Sequence, residues 1–163
     1  MAGQATAAVV KAAVTVNVSQ VRAFEVFTKD YASWVPDGQY LGGQRPAAVV
    51  IEPKAGGRWF ERGQDGADQD WGRVLAYEPS GRIVLGWHLD AQWQFVPDPR
   101  QASEVEVRFV ADGPTRTRVE LEHRGFDRHG SDGEGVRAAV ASEMGWSLTL
   151  ERFAQAANGQ ANG

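Results

Sequence analysis

The sequence predicts an α+β fold in which a curved antiparallel sheet of about six to seven strands wraps around a long C-terminal helix, with two short helices after the first strand. Three observations support it: an alternating segment comes first, strand-like segments separated by turn residues follow, and only the last part has helical spacing. A chain of 163 residues forms one such domain, which we expect to span residues 9–157, with flexible tails at 1–8 and 158–163.

The first strand and the two short helices are predicted over residues 10–36. Apolar residues recur at alternating positions from Val10 to Val18, with Ala12 among the valines, which is the pattern of a strand with one buried face. Ser19 is a typical helix N-cap, and apolar residues follow it at helical spacing from 21 to 27. A second helical turn over residues 31–34 stops before Pro36, because proline does not continue a helix.

Turn sequences divide the middle of the chain into strand-like segments. Tight turns are predicted at PSGR and DGP, and a turn-rich connector at QDGADQD. The last two segments alternate, so their apolar side chains share one face and their Glu and Arg side chains the other. Cross-strand ion pairs on a solvent-facing surface account for these charges, and a protein-binding sheet surface is the alternative interpretation. The segments are AAVVIE, GGRWFER, WGRVLAYE, RIVLGWHL, SEVEVRFVA and TRTRVELEH.

A long helix is predicted near the C-terminal end of the chain. Ser131 followed by Glu134 matches a capping box, and the residues after it show helical spacing. Apolar residues between positions 136 and 157, Met144 and Trp146 among them, share one broad face. Because this face is too apolar to be left in water, the helix must lie across the sheet. A curved sheet does not follow a helix along its whole length, so we expect a cavity between them.

Composition and charge exclude several classes of site. The chain has no cysteine, which excludes disulfides, a thiol nucleophile and a zinc ribbon. Its net charge of −4 argues against nucleic acid as a partner. No apolar run approaches the roughly eighteen residues needed to span a bilayer, and no signal peptide is recognised. We therefore expect a cytoplasmic protein without a membrane span.

The motifs predict no metal and no cofactor. The three histidines lack metal-ligand spacing, and the aspartates at 65, 68 and 70 lack the glutamate of an EF-hand loop. Gly133, Gly135 and Ala138 match part of a dinucleotide-binding fingerprint, but no parallel strand precedes them. We assign these glycines to the loop before the capped helix.

Six tryptophans are unusual in a chain of this length, and most fall at positions predicted to face the helix. Bulky rings combined with several glycines favour a ring-lined cavity, and a solid aromatic core is the alternative. Of the neighbours Trp59 and Phe60 only one can face the cavity, and we favour Phe60. The expected lining residues are Trp34, Phe60, Trp71, Trp87, Trp93, Phe109, His123, Met144 and Trp146.

The histidines are assigned from strand parity. His123 shares the parity of Val119 and Leu121, so it points to the apolar side of the sheet. There it is either a polar anchor or general base in the cavity, or a structural histidine that ties the hairpin to the helix. No motif places a nucleophile beside it, so we assign no catalytic residue. His88 has outward parity, and we expect it and His129 to face water.

Four segments resemble a known family. They are GGRWFER, WGRVLAYEPSGRIVLGWHL, TRTRVELEHRGF and the Gly-Trp pair at 145–146. They are similar to the activator-of-heat-shock-ATPase-homologue-like branch of the START-like (SRPBCC) superfamily, and the resemblance extends over residues 10–157. It implies a helix-grip fold with an apolar pocket between the sheet and the long helix. In the wider superfamily such pockets take lipids, sterols, polyketides or plant hormones.

Three functions are compatible with this resemblance. The leading hypothesis is a domain that binds an apolar or aromatic small molecule without chemistry of its own. The second is a co-chaperone-like regulator of the heat-shock-protein-90 ATPase, although the eukaryotic co-chaperones carry an additional N-terminal domain for which we expect no room here. The third is a polyketide-cyclase-like enzyme, in which His123 is the residue expected to act. The fold is also compatible with a homodimer.

Overall fold

The computed structural model describes residues 9–161 of the chain. Within them lie seven strands and four α-helices. The strands are β1 (Val10–Val16), β2 (Ala48–Ile51), β3 (Arg58–Arg62), β4 (Asp68–Glu78), β5 (Arg82–Trp87), β6 (Ser103–Ala111) and β7 (Thr117–Arg124). The helices are α1 (Gln20–Lys29), α2 (Tyr31–Trp34), α3 (Gly133–Ala141) and α4 (Trp146–Ala161), with short 3-10 helices at Pro99–Gln101 and Phe126–Asp132. The tail predicted at residues 1–8 lies outside the described residues. Within residues 9–161 no helix is long and apolar enough to cross a membrane.

The strands form one antiparallel sheet in the order β1-β7-β6-β5-β4-β3-β2. β1 comes first in the chain but pairs with β7, so that Val14 lies opposite Val119. The sheet curls around α4, which packs against β1, α1 and α2. The predicted α+β helix-grip fold, a curved antiparallel sheet around a C-terminal helix with short helices after the first strand, is confirmed.

The predicted N-cap of α1 is confirmed in the structure. The Ser19 hydroxyl accepts a hydrogen bond from the Arg22 N–H at 3.2 Å, which satisfies a donor that the first helical turn leaves free. The short helix α2 is tied to α1 by the Trp34 indole, which donates to the Val26 carbonyl at 3.0 Å. The two helices therefore hold one another at a fixed angle over one end of the sheet.

The C-terminal helical segment is broken, whereas the sequence predicted one continuous helix. Helix α3 ends at Ala141, and the Ser142 hydroxyl bonds back to the Ala139 carbonyl at 2.8 Å. Gly145 then packs so closely on the end of α3 that a Cβ there would lie 2.0 Å from the Val140 carbonyl oxygen. The linker at residues 142–145 therefore bends the chain before α4 begins.

The start of this segment also differs from the sequence-based expectation. The N-cap residue of α3 is Asp132, which makes no side-chain capping hydrogen bond, and the capping box expected at Ser131 and Glu134 does not form. Ser131 lies instead in the 3-10 helix Phe126–Asp132. The Glu134 carboxylate pairs with Arg137 at 3.0 Å. Helix α4 also extends to Ala161, past the domain boundary expected at residue 157.

Aromatic rings in the core join the helices to the sheet. Phe27 of α1 contacts Tyr31, Trp34, Phe109 and Phe153, with ring centroids 5.4 to 5.7 Å apart. The partner rings come from α2, β6 and α4, so this one ring joins α1 to three other elements. Edge-to-face pairs of this kind stabilise a core beyond the area that they bury. This ring cluster therefore holds the helices in place against the sheet.

Charged side chains cover the outer face of the sheet, as the alternation predicts. Glu106 of β6 is the centre of this cluster and accepts from Arg82 at 2.6 Å and from Arg124 at 2.7 Å. Arg124 also reaches Glu104 and Glu122 on neighbouring positions. Cross-strand ion pairs thus account for these charges.

Candidate ligand-binding cavity

A cavity of about 560 Å³ lies between the inner face of the sheet and the helices. Its walls come from α2, β4 and β5, from the loops at residues 38–41 and 92–94, and from the end of α3, the α3–α4 linker and the start of α4. Six aromatic residues line it: Tyr31, Tyr40, Trp71, Trp87, Trp93 and Trp146. Amide side chains add polar groups: Gln39, Gln69, Gln92 and Gln94. None of the described residues that line it is Asp, Glu, Lys, Arg or His.

Trp87 lies at the centre of the aromatic wall. Its indole ring contacts those of Trp59, Trp93 and Trp146 edge-on, with centroids 5.7 to 6.1 Å apart. The indole N–H donates to the Leu89 carbonyl at 3.0 Å. Because its hydrogen-bonding group is satisfied by the chain, Trp87 presents carbon surface to the cavity.

Trp71 is held in the wall by Glu61, a residue that the sequence analysis did not single out. Glu61 is only 1% exposed, and its carboxylate accepts from the Trp71 indole at 2.8 Å. The same carboxylate accepts from the backbone N–H groups of Leu41 and Gly42. One buried carboxylate therefore fixes both an aromatic wall residue and the loop at residues 38–41.

Phe60, expected in the cavity, instead lies on the outer face of the sheet, and Trp59 is the inward residue. The ring of Phe60 is covered by the guanidinium groups of Arg58 and Arg62, 4.0 and 5.4 Å from its centroid. The pairing of β3 with β4 shifts register between Trp59 and Phe60, and Trp71 is the residue left unpaired opposite the shift. The expectation for Phe60 was wrong because both sides of β3 carry a ring there and strand parity alone does not say which faces the helix. Glu61 shares the parity of Trp59, which is the sequence signal for its inward direction.

His123 lies behind the cavity wall in a chain of hydrogen bonds. The Trp146 indole N–H donates to His123 Nδ1 at 3.0 Å, and His123 Nε2 lies 2.7 Å from Ser103 Oγ. Ser103 Oγ is in turn 2.8 Å from His129 Nε2. Burial lowers the pKa of His123 to about 3, so its ring is neutral near pH 7. Since an indole only donates, the His123 proton sits on Nε2 and points to Ser103.

Neither His123 nor the other two histidines line the cavity. His88, expected to face water, is buried on the outer face of the sheet, with Nδ1 2.8 Å from the Val96 carbonyl oxygen and its ring stacked on Phe95. His129, also expected to be solvated, is half-buried against Ser103. Parity placed His88 on the correct face, but the loop after β5 folds back and covers it.

Trp34 and Phe109, two further residues expected to line the cavity, belong to the packed core beside it. Trp34 contacts Tyr31 with ring centroids 4.3 Å apart, and it also contacts Phe153 of α4. Phe109 packs against Phe24 and Phe27. Both rings are buried and neither is among the lining residues. Both rings therefore belong to the core that packs behind the lining residues.

Trp93 and Met144 flank the mouth of the cavity. Trp93 is 46% exposed and has a left-handed backbone with φ of 62°, an uncommon conformation for a residue other than glycine. Asp90 stabilises this turn because its carboxylate accepts from the N–H groups of Gln92 and Gln94, both at 2.9 Å. Met144 is 62% exposed in the α3–α4 linker, not on the inner face of a helix as predicted.

Gln39 connects the loop after α2 to the α3–α4 linker. Its amide nitrogen donates to the Met144 carbonyl and, at 3.2 Å, to the Gly145 carbonyl. Its amide oxygen accepts from the Thr149 hydroxyl at 2.6 Å. The Gln39 side chain therefore sets the distance between the two walls at this edge of the cavity.

Neither the lining nor the rest of the described chain offers a metal site. Among residues 9–161, no group of three or more His, Asp or Glu side chains lies close enough together to hold a metal ion. The cavity presents aromatic ring surface together with neutral amide groups.

Two solved structures are similar to this chain in both sequence and fold. The anthrahydroquino-γ-pyrone synthase Txn09 is 39% identical, with 93% of this chain and 97% of that chain covered and a TM-score of 0.65. The self-sacrificing resistance protein CalC from Micromonospora echinospora is 28% identical, with 93% and 95% covered and a TM-score of 0.69. Protein MLL2253 from Mesorhizobium loti, at 20% identity, 91% and 95% coverage and a TM-score of 0.62, shares the fold. No match is found among the curated proteins.

The family comparison confirms the resemblance seen in the sequence. Residues 17–158 match the family described as Activator of Hsp90 ATPase homolog 1-like protein. This match covers most of the chain, from the end of β1 into α4, and it includes every residue that lines the cavity. The chain therefore belongs to the Activator of Hsp90 ATPase homolog 1-like family of the START-like superfamily.

Proposed function

We propose that this protein binds an uncharged, planar molecule of two or more fused aromatic rings in the cavity between sheet and helices. The observation that carries the proposal is the wall of aromatic rings formed by Tyr31, Trp71, Trp87 and Trp146, in which Trp71 meets Tyr31 and Trp146 meets Trp87 edge-on. Flat aromatic surface packs well against such rings, edge-on or offset. A volume of about 560 Å³ lies within the range of small-molecule pockets, roughly 300 to 1,000 Å³.

The absence of charged groups among the described lining residues limits the chemistry of the ligand. An ion buried without a partner is strongly unfavourable, so the ligand is neutral where it is enclosed. Gln69, Gln92 and Gln94 are exposed at the rim, where amide groups both donate and accept hydrogen bonds. Hydroxyl and carbonyl substituents at the outer edge of the ring system suit these partners.

The relative of 39% identity supports the same ligand class. Its name describes it as a synthase of an anthrahydroquino-γ-pyrone, which is a fused aromatic ring system carrying oxygen substituents. The similarity covers nearly the whole of both chains, so the cavity-forming elements are part of it. An oxygenated polycyclic aromatic is therefore the ligand that we propose.

A second candidate function is ring closure on such a molecule, and the name of this relative favours it. Tyr31 and Tyr40 are the titratable residues among the described lining, whereas His123 is fully buried behind Trp146 and does not reach the cavity. Catalysis here would rest on holding the substrate in a reactive conformation and on hydrogen-bond donation. Product formation from an anthrahydroquinone with an unclosed side chain, followed with and without the protein, tests this candidate. An unchanged rate excludes it.

A substitution in α3 that places a larger side chain in the cavity tests the proposed binding. Ala139 of α3 lines the cavity, whereas its neighbour Ala138 is exposed on the other side of the helix. Titration of tryptophan fluorescence with 9,10-anthraquinone is expected to give saturable quenching in the wild type. Ala139→Phe should weaken this binding at least about tenfold, because its ring occupies ligand space, and Ala138→Phe should not. No binding by the wild type, or equal binding by both variants, would contradict the proposal.

A further inference from the structure

The buried indoles of the cavity wall have no hydrogen-bonding group left for a ligand. The Trp71 N–H donates to Glu61, the Trp87 N–H to the Leu89 carbonyl, and the Trp146 N–H to His123. An indole has a single donor and no acceptor, so these bonds exhaust its capacity. The three rings therefore contribute shape and apolar surface to the cavity, and no polar recognition.

Tyr31 is the exception among the buried residues of the wall. It is 2% exposed and lines the cavity, yet its hydroxyl has no hydrogen-bond partner within residues 9–161. The other buried hydroxyl of the lining, that of Thr149, bonds to Gln39 and to the Gly145 carbonyl. A buried tyrosine hydroxyl usually has a partner in the protein, so the unpaired one is available to something that enters the cavity.

The ring of Tyr31 is fixed, and so is the direction of its hydroxyl. Trp34 packs against it with centroids 4.3 Å apart, Phe27 meets it edge-on at 5.5 Å, and Trp71 at 5.8 Å. A donor that is already oriented loses little freedom when a ligand binds. Burial raises the pKa of Tyr31 above its ordinary value, so the hydroxyl keeps its proton at neutral pH.

We propose that the Tyr31 hydroxyl is the interior anchor of the cavity and donates a hydrogen bond to a neutral oxygen acceptor, a carbonyl of the quinone or pyrone type, on the leading edge of the ligand. The inference rests on the proposed function and adds the orientation in which the ligand binds. The oxygen-bearing edge enters first and meets Tyr31, the flat rings lie against Trp71, Trp87 and Trp146, and other substituents remain at the glutamine rim. Polycyclic ligands without an inner oxygen leave the hydroxyl unpaired and bind more weakly.

Two probes with the same ring skeleton isolate this hydrogen bond. Both 9,10-anthraquinone and anthracene have three fused rings, and only the quinone has carbonyl oxygens. Each is titrated against the wild type, Tyr31→Phe and the control Tyr77→Phe, which makes the same chemical change at a half-buried tyrosine of β4 outside the cavity. Tyr31→Phe is expected to weaken anthraquinone binding about tenfold and to leave anthracene binding unchanged. Tyr77→Phe should change neither affinity.

The stability of the free protein gives a second readout for the same variant. Removing an unpaired buried hydroxyl takes away no hydrogen bond, so Tyr31→Phe should unfold in urea at the same or a higher midpoint than the wild type. Unchanged anthraquinone binding in Tyr31→Phe, or an equal loss of affinity for both probes, would overturn the anchoring role of Tyr31. Binding of the probes by the wild type would then still support the proposed function of the cavity. If the wild type binds neither probe, the proposed function fails, and the anchor fails with it.

Discussion

The indole nitrogen of Trp146 donates to Nδ1 of His123 at 3.0 Å, which joins the first turn of α4 to the central hairpin of the sheet. On its other side, His123 Nε2 lies 2.7 Å from the hydroxyl oxygen of Ser103 in β6. Of the two roles considered for His123 from the sequence, the structure therefore supports the structural one, in which the histidine connects the hairpin to the helix. It also holds Trp146 in the wall of the cavity. Because it must stay neutral to accept from the indole, its contribution to stability depends on pH.

The stability of the protein should fall as the pH drops below about 6.5. The pKa of His123 is lowered from 6.5 to about 3 by burial, so between these values the unfolded chain takes up a proton that the folded chain does not. The free energy of unfolding then decreases by up to about 1.4 kcal/mol per pH unit for this one group. Burial lowers the pKa of His129 as well, and its effect has the same sign. Urea unfolding at pH 7.5, 6.5 and 5.5 measures the slope.

The variant His123→Gln separates this group from the rest of the protein. Glutamine does not titrate, so the variant should be less stable than the wild type at pH 7.5 and lose less stability between pH 6.5 and 5.5. Equal slopes for the two proteins would show that His123 is not the source of the pH dependence.

Glu61→Gln should loosen the loop at residues 38–41. A glutamine has a single acceptor oxygen, so it cannot replace a carboxylate that accepts from Trp71, Leu41 and Gly42. We expect a loss of about 1 to 3 kcal/mol in unfolding free energy and faster hydrogen exchange at the Leu41 and Gly42 amides. Glu120→Gln is the control, because Glu120 pairs with Arg118 on the solvent-facing side of the sheet and should change stability by less than about 1 kcal/mol. Unchanged amide exchange in Glu61→Gln would contradict this role.

Gly145→Ala should disrupt the linker between α3 and α4. A Cβ at this position would lie 2.0 Å from the Val140 carbonyl oxygen, so the backbone must move apart. We expect a destabilisation of about 1 to 3 kcal/mol and weaker ligand binding, because Gln39 bonds to the Met144 and Gly145 carbonyls next to it. Gly43→Ala, where a Cβ meets no atom within 4 Å, is the control and should unfold as the wild type does. A Gly145→Ala protein of wild-type stability would exclude the close packing at this bend.

The co-chaperone hypothesis makes a separate prediction that the ligand-binding account does not share. A regulator of the heat-shock-protein-90 ATPase should raise the rate of ATP hydrolysis when added to that chaperone. If the protein acts through its cavity, we expect no change in the rate at saturating concentrations of this chain. Stimulation that survives Ala139→Phe would favour a protein-interaction role, since that substitution fills the cavity without touching the outer face of the sheet.

Alternation and helical spacing were sufficient to predict the fold, because they depend on burial of one face, and the inward side chains of β5, β6 and β7 are buried. They were insufficient where the register shifts. Parity left open whether Trp59 or Phe60 faces inward. The preference for Phe60 implied an outward direction for Glu61, whereas Glu61 points inward with Trp59. The break before α4 follows from the contact of Gly145 with Val140, which helical spacing does not encode.

The cavity residues were predicted unevenly for the same reason. Trp71, Trp87 and Trp146 lie in the lining at positions that alternation and helical spacing indicated, whereas Trp93 and Met144 line it from a loop and from the α3–α4 linker. Tyr31 and the rim glutamines were not expected there. Tyr31 lies on a short helix whose inward face became clear only from its contacts with Trp34 and Trp71, and the glutamines lie on strand ends and loops without a periodic pattern.

A crystal structure of the protein grown with 9,10-anthraquinone shows directly whether the cavity binds an oxygenated aromatic ring system. We expect the ring system in the cavity, packed against Trp71, Trp87 and Trp146, with one carbonyl oxygen within about 3 Å of the Tyr31 hydroxyl. An empty cavity at saturating anthraquinone, or the ligand bound only on the outer face of the sheet, would contradict it.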